Sequence, residues 1–126
     1  MSSTCILKGN DVFKAAIAVA PVTNWRYYDN IYTERYMRTP QENAAGYDDN
    51  APENMADKLK GKFLLIHGTA DDNVHFQNSV MFTNALINAD KDFDSEYYPD
   101  KTHGISGGNA RHQLYKRMTD FILQNL

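Results

Sequence analysis

Two short, unbroken apolar runs limit what this chain can fold into. Ala15 to Ala20 reads AAIAVA and stops at Pro21, and Phe63-Leu64-Leu65-Ile66 stops at His67-Gly68. A run that is apolar at every position must be shielded on both faces. When it is this short and ends in a turn signal, it reads as a buried strand of a parallel sheet. A third candidate, Phe93-Asp94-Ser95-Glu96-Tyr97-Tyr98, mixes polar and aromatic residues and closes at Pro99-Asp100, which predicts an edge strand. Parallel strands need crossovers, and the intervening segments carry helix signals. Thr39-Pro40-Gln41-Glu42 and Asn50-Ala51-Pro52-Glu53 each set a capping side chain three residues before a Glu, with Pro in the first turn, and so predict helix N-termini. Met55 and Leu59 then share a face, and Lys60-Gly61 supplies a stop. Phe82, Leu86 and Ala89 recur at helical spacing, and Leu114, Met118, Phe121 and Ile122 form one stripe of a helix from about Ala110 to the C-terminus. The expectation is an α/β fold: one mainly parallel sheet joined by right-handed crossovers.

At 126 residues there is room for one domain and a modest core. The formal charge of −3 is scattered rather than gathered into a basic face, which argues against nucleic acid as a partner. The single cysteine, Cys5, has no Cys or His neighbour at zinc spacing and is expected to be a buried, inert thiol. No apolar run approaches the roughly 20 residues that span a bilayer, and Met1-Ser2-Ser3-Thr4 lacks the features of a signal peptide, so the chain as it stands is expected to be soluble and unexported. Three strands leave edges unpaired. Self-association through such an edge, or through aromatic side chains left unburied, is expected.

The stretch HGTADDNVHF, His67 to Phe76, follows the second apolar run, and Asp100-Lys101-Thr102-His103-Gly104 follows the third. Ligands and reacting groups collect at the carboxyl ends of strands in open α/β sheets. An acid on one such loop and a histidine on the next matches the second half of the Ser, Asp, His order of α/β hydrolases. Asp71 would then orient the imidazole and His103 would act as general base. The alternative is structural: Asp71 or Asp72 caps the following helix and His103 is a solvated loop residue. His67, Asp71 and His75, four apart, would form a metal site if they lay on one helix, but Gly68 and the preceding strand oppose a helix there, and no metal is assigned. Gly104-Ile105-Ser106-Gly107-Gly108 matches Gly-x-Ser-x-Gly. A nucleophile elbow, however, is a strand running into a sharp turn that opens a helix, with its serine ahead of the acid and the histidine. Ser106 follows His103, so the segment reads as a connector to the last helix.

GTADDNVHF, together with VAPVTNWRYYDNIYTERYM (Val19 to Met37) and the His103-Gly104 pair, resembles the C-terminal part of the catalytic domain of the prolyl oligopeptidase family of serine peptidases, in particular its dipeptide-releasing members. The resemblance covers essentially the whole chain. It implies a partial α/β-hydrolase fold in which residues 1–126 are the C-terminal strands and helices, with no cofactor. It implies Asp71 as triad acid, His103 as triad histidine and Asn73 as a hydrogen-bond partner of a substrate carbonyl. Val22, Trp25, Tyr28, Tyr32 and Val74 match the pocket for a penultimate proline, a rigid apolar ring suited to an aromatic box. Tyr28 and Tyr32, four apart, are expected on one side of a helical turn with Trp25 beside them. In the family the nucleophile elbow precedes the segment matched by Met1 to Leu7, and an upstream tyrosine, paired glutamates and a β-propeller complete the enzyme. The resemblance therefore implies a chain that starts after the nucleophile and is inactive alone. It also implies peptide substrates with Pro or Ala second, and a parent enzyme in the periplasm or at the cell surface. A non-catalytic interaction module that keeps the fold is the other reading.

Overall fold

The computed structural model describes residues 1–126, and its sheet is organised around the FLLI run. Strands β1 (Ala15–Val19), β2 (Lys62–Gly68) and β3 (Asp94–Tyr98) form one parallel sheet in the order β1-β2-β3. Ala15 to Val19 lie opposite Lys62 to Ile66, and Leu64 to Gly68 lie opposite Asp94 to Tyr98. Only β2 is flanked on both sides. Its residues from Phe63 to Gly68 are all buried, whereas β3 exposes Asp94, Ser95 and Tyr97 as an edge strand does. The AAIAVA run behaves differently from its central-strand pattern: β1 is the other edge, and Val19 is 39% exposed.

The helices are α1 (Ser2–Lys8), α2 (Asn30–Met37), α3 (Ala44–Asp48), α4 (Gln77–Asn88) and α5 (Ala110–Asn125), with 3-10 segments at Trp25–Tyr27 and Pro52–Lys58. Side chains alternate across β2 and split the core into two layers. Phe63 and Leu65 meet Ile6 and Leu7 of α1, Met55 and Ala56 of the second 3-10 segment, and Phe82 and Leu86 of α4. Leu64 and Ile66 meet Leu114 and Phe121 of α5, with Tyr98 and Ile105. Burying each of these large side chains contributes about 1.5–3 kcal/mol relative to leaving it in water. The Tyr98 hydroxyl also bonds Gln113, pinning β3 to α5.

Several local expectations are revised. The Thr39–Glu42 reciprocal bonds form, with Thr39 Oγ1 3.0 Å from Glu42, but they close a turn only. The helix begins at Ala44, where Asn43 Oδ1 accepts from the Gly46 N–H and the buried Tyr47 donates to Arg38 O at 2.6 Å. Asn50 caps nothing; its amide donates to Gly46 O at 3.1 Å, and Ala51 precedes a 3-10 segment rather than an α-helix. Glu53 turns away from the backbone because its carboxylate accepts from Asn24 at 2.6 Å. Along α5, Leu114 and Phe121 are buried but Ile122 is 44% exposed, since the sheet covers a narrower stripe than the sequence offers. Cys5 is free and half-buried rather than fully buried.

Candidate active site

The site grows from the end of β2. Thr69 N–H donates to Tyr98 O at 3.0 Å, Ala70 N–H to Lys101 O at 3.1 Å, and Asp100 N–H to Thr69 Oγ1 at 2.9 Å, so the loops after β2 and β3 are laced together. Gly68 permits this approach: a Cβ there would lie 2.8 Å from the Lys101 carbonyl carbon and 2.9 Å from Thr102 O. Asp71 is buried in the angle between the loops. Its Oδ1 accepts from the Asn73 and Val74 N–H groups at 3.0 and 2.9 Å, closing a local turn. Its Oδ2 accepts from His103 Nδ1 at 2.8 Å. The expected helix cap is not formed, since α4 begins at Gln77 after Phe76 with no side-chain cap; Asp71 closes the preceding turn with one oxygen and holds His103 with the other. Asp72, by contrast, is exposed.

Burial alone would push the Asp71 carboxyl up, but the bonds from His103, Val74 and Asn73 outweigh it and hold the group below its ordinary value of 3.8. It is therefore ionised at neutral pH, with its negative charge facing His103. The imidazole is 46% exposed, and its Nε2 has no partner within the chain. A buried carboxylate that fixes one nitrogen and leaves the other outward is the arrangement a general base requires.

The aromatic residues reach this loop by another route. Asn78, fully buried at the start of α4, accepts from Thr23 N–H at 3.1 Å through Oδ1 and from the Thr23 hydroxyl at 2.7 Å through its carbonyl oxygen. Those bonds seat the Pro21-to-Trp25 segment on α4. Trp25, Tyr28 and Tyr32 then form a cluster, with centroids 5.6 Å apart for Trp25–Tyr28, 6.2 Å for Trp25–Tyr32 and 5.6 Å for Tyr28–Tyr32. The expected shared helical turn is absent: Tyr28 is extended and ends the 3-10 segment, while Tyr32 lies in α2, which Asp29 caps. The rings still converge because the chain bends between them. Tyr28 OH donates to Asn73 Oδ1 at 2.8 Å and joins the cluster to the Asp71 loop.

The remaining residues are dispersed. Val22 and Trp25 line an open cavity of about 300 Å³ together with residues of α1 and β1. Tyr28 and Asn73 line a polar cleft with Asp29, Asp72 and His75. Val74 is buried beneath the turn and lines none of these clefts. Ser106 is exposed in a loop in which Ile105, Gly107 and Gly108 all have positive φ, and β3 has already ended at Tyr98, so no strand delivers it as in an elbow. His67 lies within β2, so His67, Asp71 and His75 do not share a helix face. Sequence reasoning missed two further groups: His67, whose imidazole touches Asp71, and Asn78, whose polar side chain in a helix start carried no signal of its buried role.

The chain resembles known proteins along essentially its whole length. The model of the prolyl oligopeptidase family matches residues 1–126. The chain is 47% identical to dipeptidyl peptidase 4 of Felis catus over 98% of its own length, and 46% identical to prolyl endopeptidase FAP of Mus musculus over 98%. It spans 17% of the length of either relative. The crystal structure of Porphyromonas gingivalis dipeptidyl peptidase 4 superposes with a TM-score of 0.94 at 50% identity, covering 98% of this chain and 18% of that one. Sequence, sheet topology and the paired loops thus converge on one ancestry, and the chain belongs to the prolyl oligopeptidase family, with the α/β-hydrolase arrangement of strands and helices.

Proposed function

We propose that residues 1–126 are the C-terminal portion of a serine peptidase catalytic domain, and that they supply its acid and base and the floor of its specificity pocket. The observation that carries this reading is the 2.8 Å bond from His103 Nδ1 to the buried Asp71 carboxylate, with Nε2 left outward. The nucleophilic serine, the groups that hold the substrate's free amine and the propeller lie outside these residues. In the complete enzyme, His103 Nε2 takes the proton from the serine hydroxyl as it attacks the scissile carbonyl. Asp71 stabilises the resulting imidazolium, which returns the proton to the leaving amine; water then releases the acyl group by the same relay.

The substrate class is a peptide with proline or alanine second; in support, Trp25 and Tyr32 line an apolar cleft with Tyr36 and Met37, and Tyr28 packs against both rings at its polar side. Asn73, already oriented by Tyr28, would bond a substrate carbonyl. A relative named as an endopeptidase shares this segment. Choice of the proline-like residue therefore belongs here, and the dipeptide limit to residues elsewhere. A periplasmic or cell-surface location is part of the same proposal; no helix of this chain is long and apolar enough to cross a membrane.

In the complete enzyme, Asp71→Asn is expected to lower kcat on a Gly-Pro aryl amide by about 10⁴-fold, and Asp72→Asn by less than about tenfold. Equal losses would refute the assignment. The 126-residue chain alone is expected to show no turnover, and activity that disappears in Ser106→Ala would overturn the proposal.

A further inference from the structure

This inference rests on the reading of Asp71 and His103 as acid and base. We propose that His67 is a positioning residue whose one N–H, at Nε2, clamps the acid and the substrate-facing turn together. His67 is the sixth residue of β2 and has no exposed surface. Its Nε2 lies 2.8 Å from Val74 O and 3.2 Å from Asp71 Oδ2. Its Nδ1 lies 2.6 Å from Ser79 Oγ in α4.

Hydrogen-bond valence settles the tautomer. A carbonyl and an ionised carboxylate can only accept, so Nε2 must carry the proton and share it between them. Nδ1 is then bare and accepts from the Ser79 hydroxyl, the one partner able to act either way. Burial pushes the His67 pKa below 6.5, against opposing pulls from Val74 O and Asp71, and nearby His103 lowers it further. The ring stays neutral and adds no charge beside the acid. Phe76 meets it edge to face at 5.6 Å and 88°, and Tyr97 meets Phe76 at 5.0 Å, so the ring is wedged against rotation.

The clamp bears on the reaction because of which oxygen it uses. Oδ1 of Asp71 is held by the backbone, whereas Oδ2 is shared between His67 and His103. Without the His67 proton, Val74 O and one lone pair of Oδ2 lose their buried donor. The turn from Asp71 to Val74 is then free to tilt, and Oδ2 moves off the line to His103. Val74 and Asn73 ride on that turn, so a single proton fixes both the acid and the segment assigned to substrate.

The test reads imidazole nitrogens in the folded chain by long-range proton–nitrogen NMR, in alkaline buffer. In the unmodified chain His67 should be protonated at Nε2 and bare at Nδ1, and His103 should favour the Nδ1–H tautomer that Asp71 selects. In His67→Phe the His103 tautomer ratio should shift toward Nε2–H by about threefold or more; in His67→Gln, which keeps an N–H donor, it should stay within about twofold of the original. A His67 protonated at Nδ1 would overturn the proposal without recourse to any variant, so a Phe variant that fails to fold does not shelter it. So would an unchanged ratio in a folded His67→Phe chain, or no recovery in His67→Gln. Asp71→Asn is the separate control: His103 nitrogens indifferent to it would remove the acid–base reading itself, whatever His67 shows.

Discussion

Adding one methyl group at Gly68 should disconnect the acid from the base. The Cβ of Gly68→Ala would sit 2.8 Å from the Lys101 carbonyl carbon and nearer still to its oxygen, where ordinary contact begins at 3.4 Å. The obstacle is backbone, so no side chain can swing aside, and the loop after β3 must retreat by at least 0.6 Å. Lys101 O accepts from Ala70 N–H at 3.1 Å, and His103 stands two residues on, with Nδ1 2.8 Å from Asp71. A retreat of that size takes both bonds to the margin at which hydrogen bonding fails. Crowding and two weakened bonds together are expected to cost about 2–4 kcal/mol. Urea unfolding of the chain, followed by tryptophan fluorescence, reads this as a lower midpoint at unchanged slope. In the complete enzyme, misplacement of the base by this fraction of an ångström is expected to cost about 10–100-fold in kcat. A variant that matches the parent in midpoint and keeps the His103 tautomer would refute the close-packing argument.

Acid should destabilise the chain in two stages. The folded pKa of His67 is depressed, so the unfolded chain binds its proton first, and stability present above 6.5 is lost as pH falls below that value. The folded pKa of Asp71 is also depressed, so its contribution is lost only as pH falls through and below 3.8. Thermal melts against pH should show both stages; His67→Gln should erase the upper, and Asp71→Asn should shrink the lower, to which Asp48 beside Arg26 also contributes, and a single stage insensitive to His67→Gln contradicts the assignment. Phe82→Ala removes a fully buried ring packed 5.6 Å from Phe63 and should cost about 3–5 kcal/mol by urea titration; a loss below about 1 kcal/mol would show that this layer is loosely packed. Val19 on the β1 edge and Tyr32 and Tyr36 on α2 are exposed, so light scattering should find the mass of the isolated chain rising with concentration; a monomer throughout the millimolar range would contradict self-association through these surfaces.

The central strand and both loops of the candidate site were legible in the sequence because each rests on a local signal. A fully apolar run has to be shielded, and a turn signal at its end locates the loop that follows. The short helices were not legible. α3 is five residues long and is held by Tyr47 reaching back to Arg38 rather than by propensity or a repeating face. The Asn50 signal misled because its side chain, shared between Gly46 O and Lys8 Nζ, found better partners than the helix start it precedes. At the site, Asp71 and His103 could be nominated from chain order and resemblance. His67 read as the stop after a strand or as one corner of a metal site, and its true partners come from α4 and from a turn seven residues on. Such convergence depends on how elements fold over one another, which spacing along the chain does not encode.

The residue that anchors the His103 loop is Ile105, buried to 1% exposure yet held at a φ of 43°. A branched side chain in the left-handed region costs about 1–3 kcal/mol, close to the roughly 1.5–3 kcal/mol its burial returns. At Ile105 itself the two terms nearly cancel, so the docking of the loop rests on its bonds to the β2 loop, from Ala70 to Lys101, from Asp100 to Thr69 and from His103 to Asp71. Hydrogen exchange is expected to find the loop opening below the global free energy, because those few bonds, and not a packed layer, hold it. Such an opening would carry His103 away from Asp71 and leave β2 and the Asp71 turn in place.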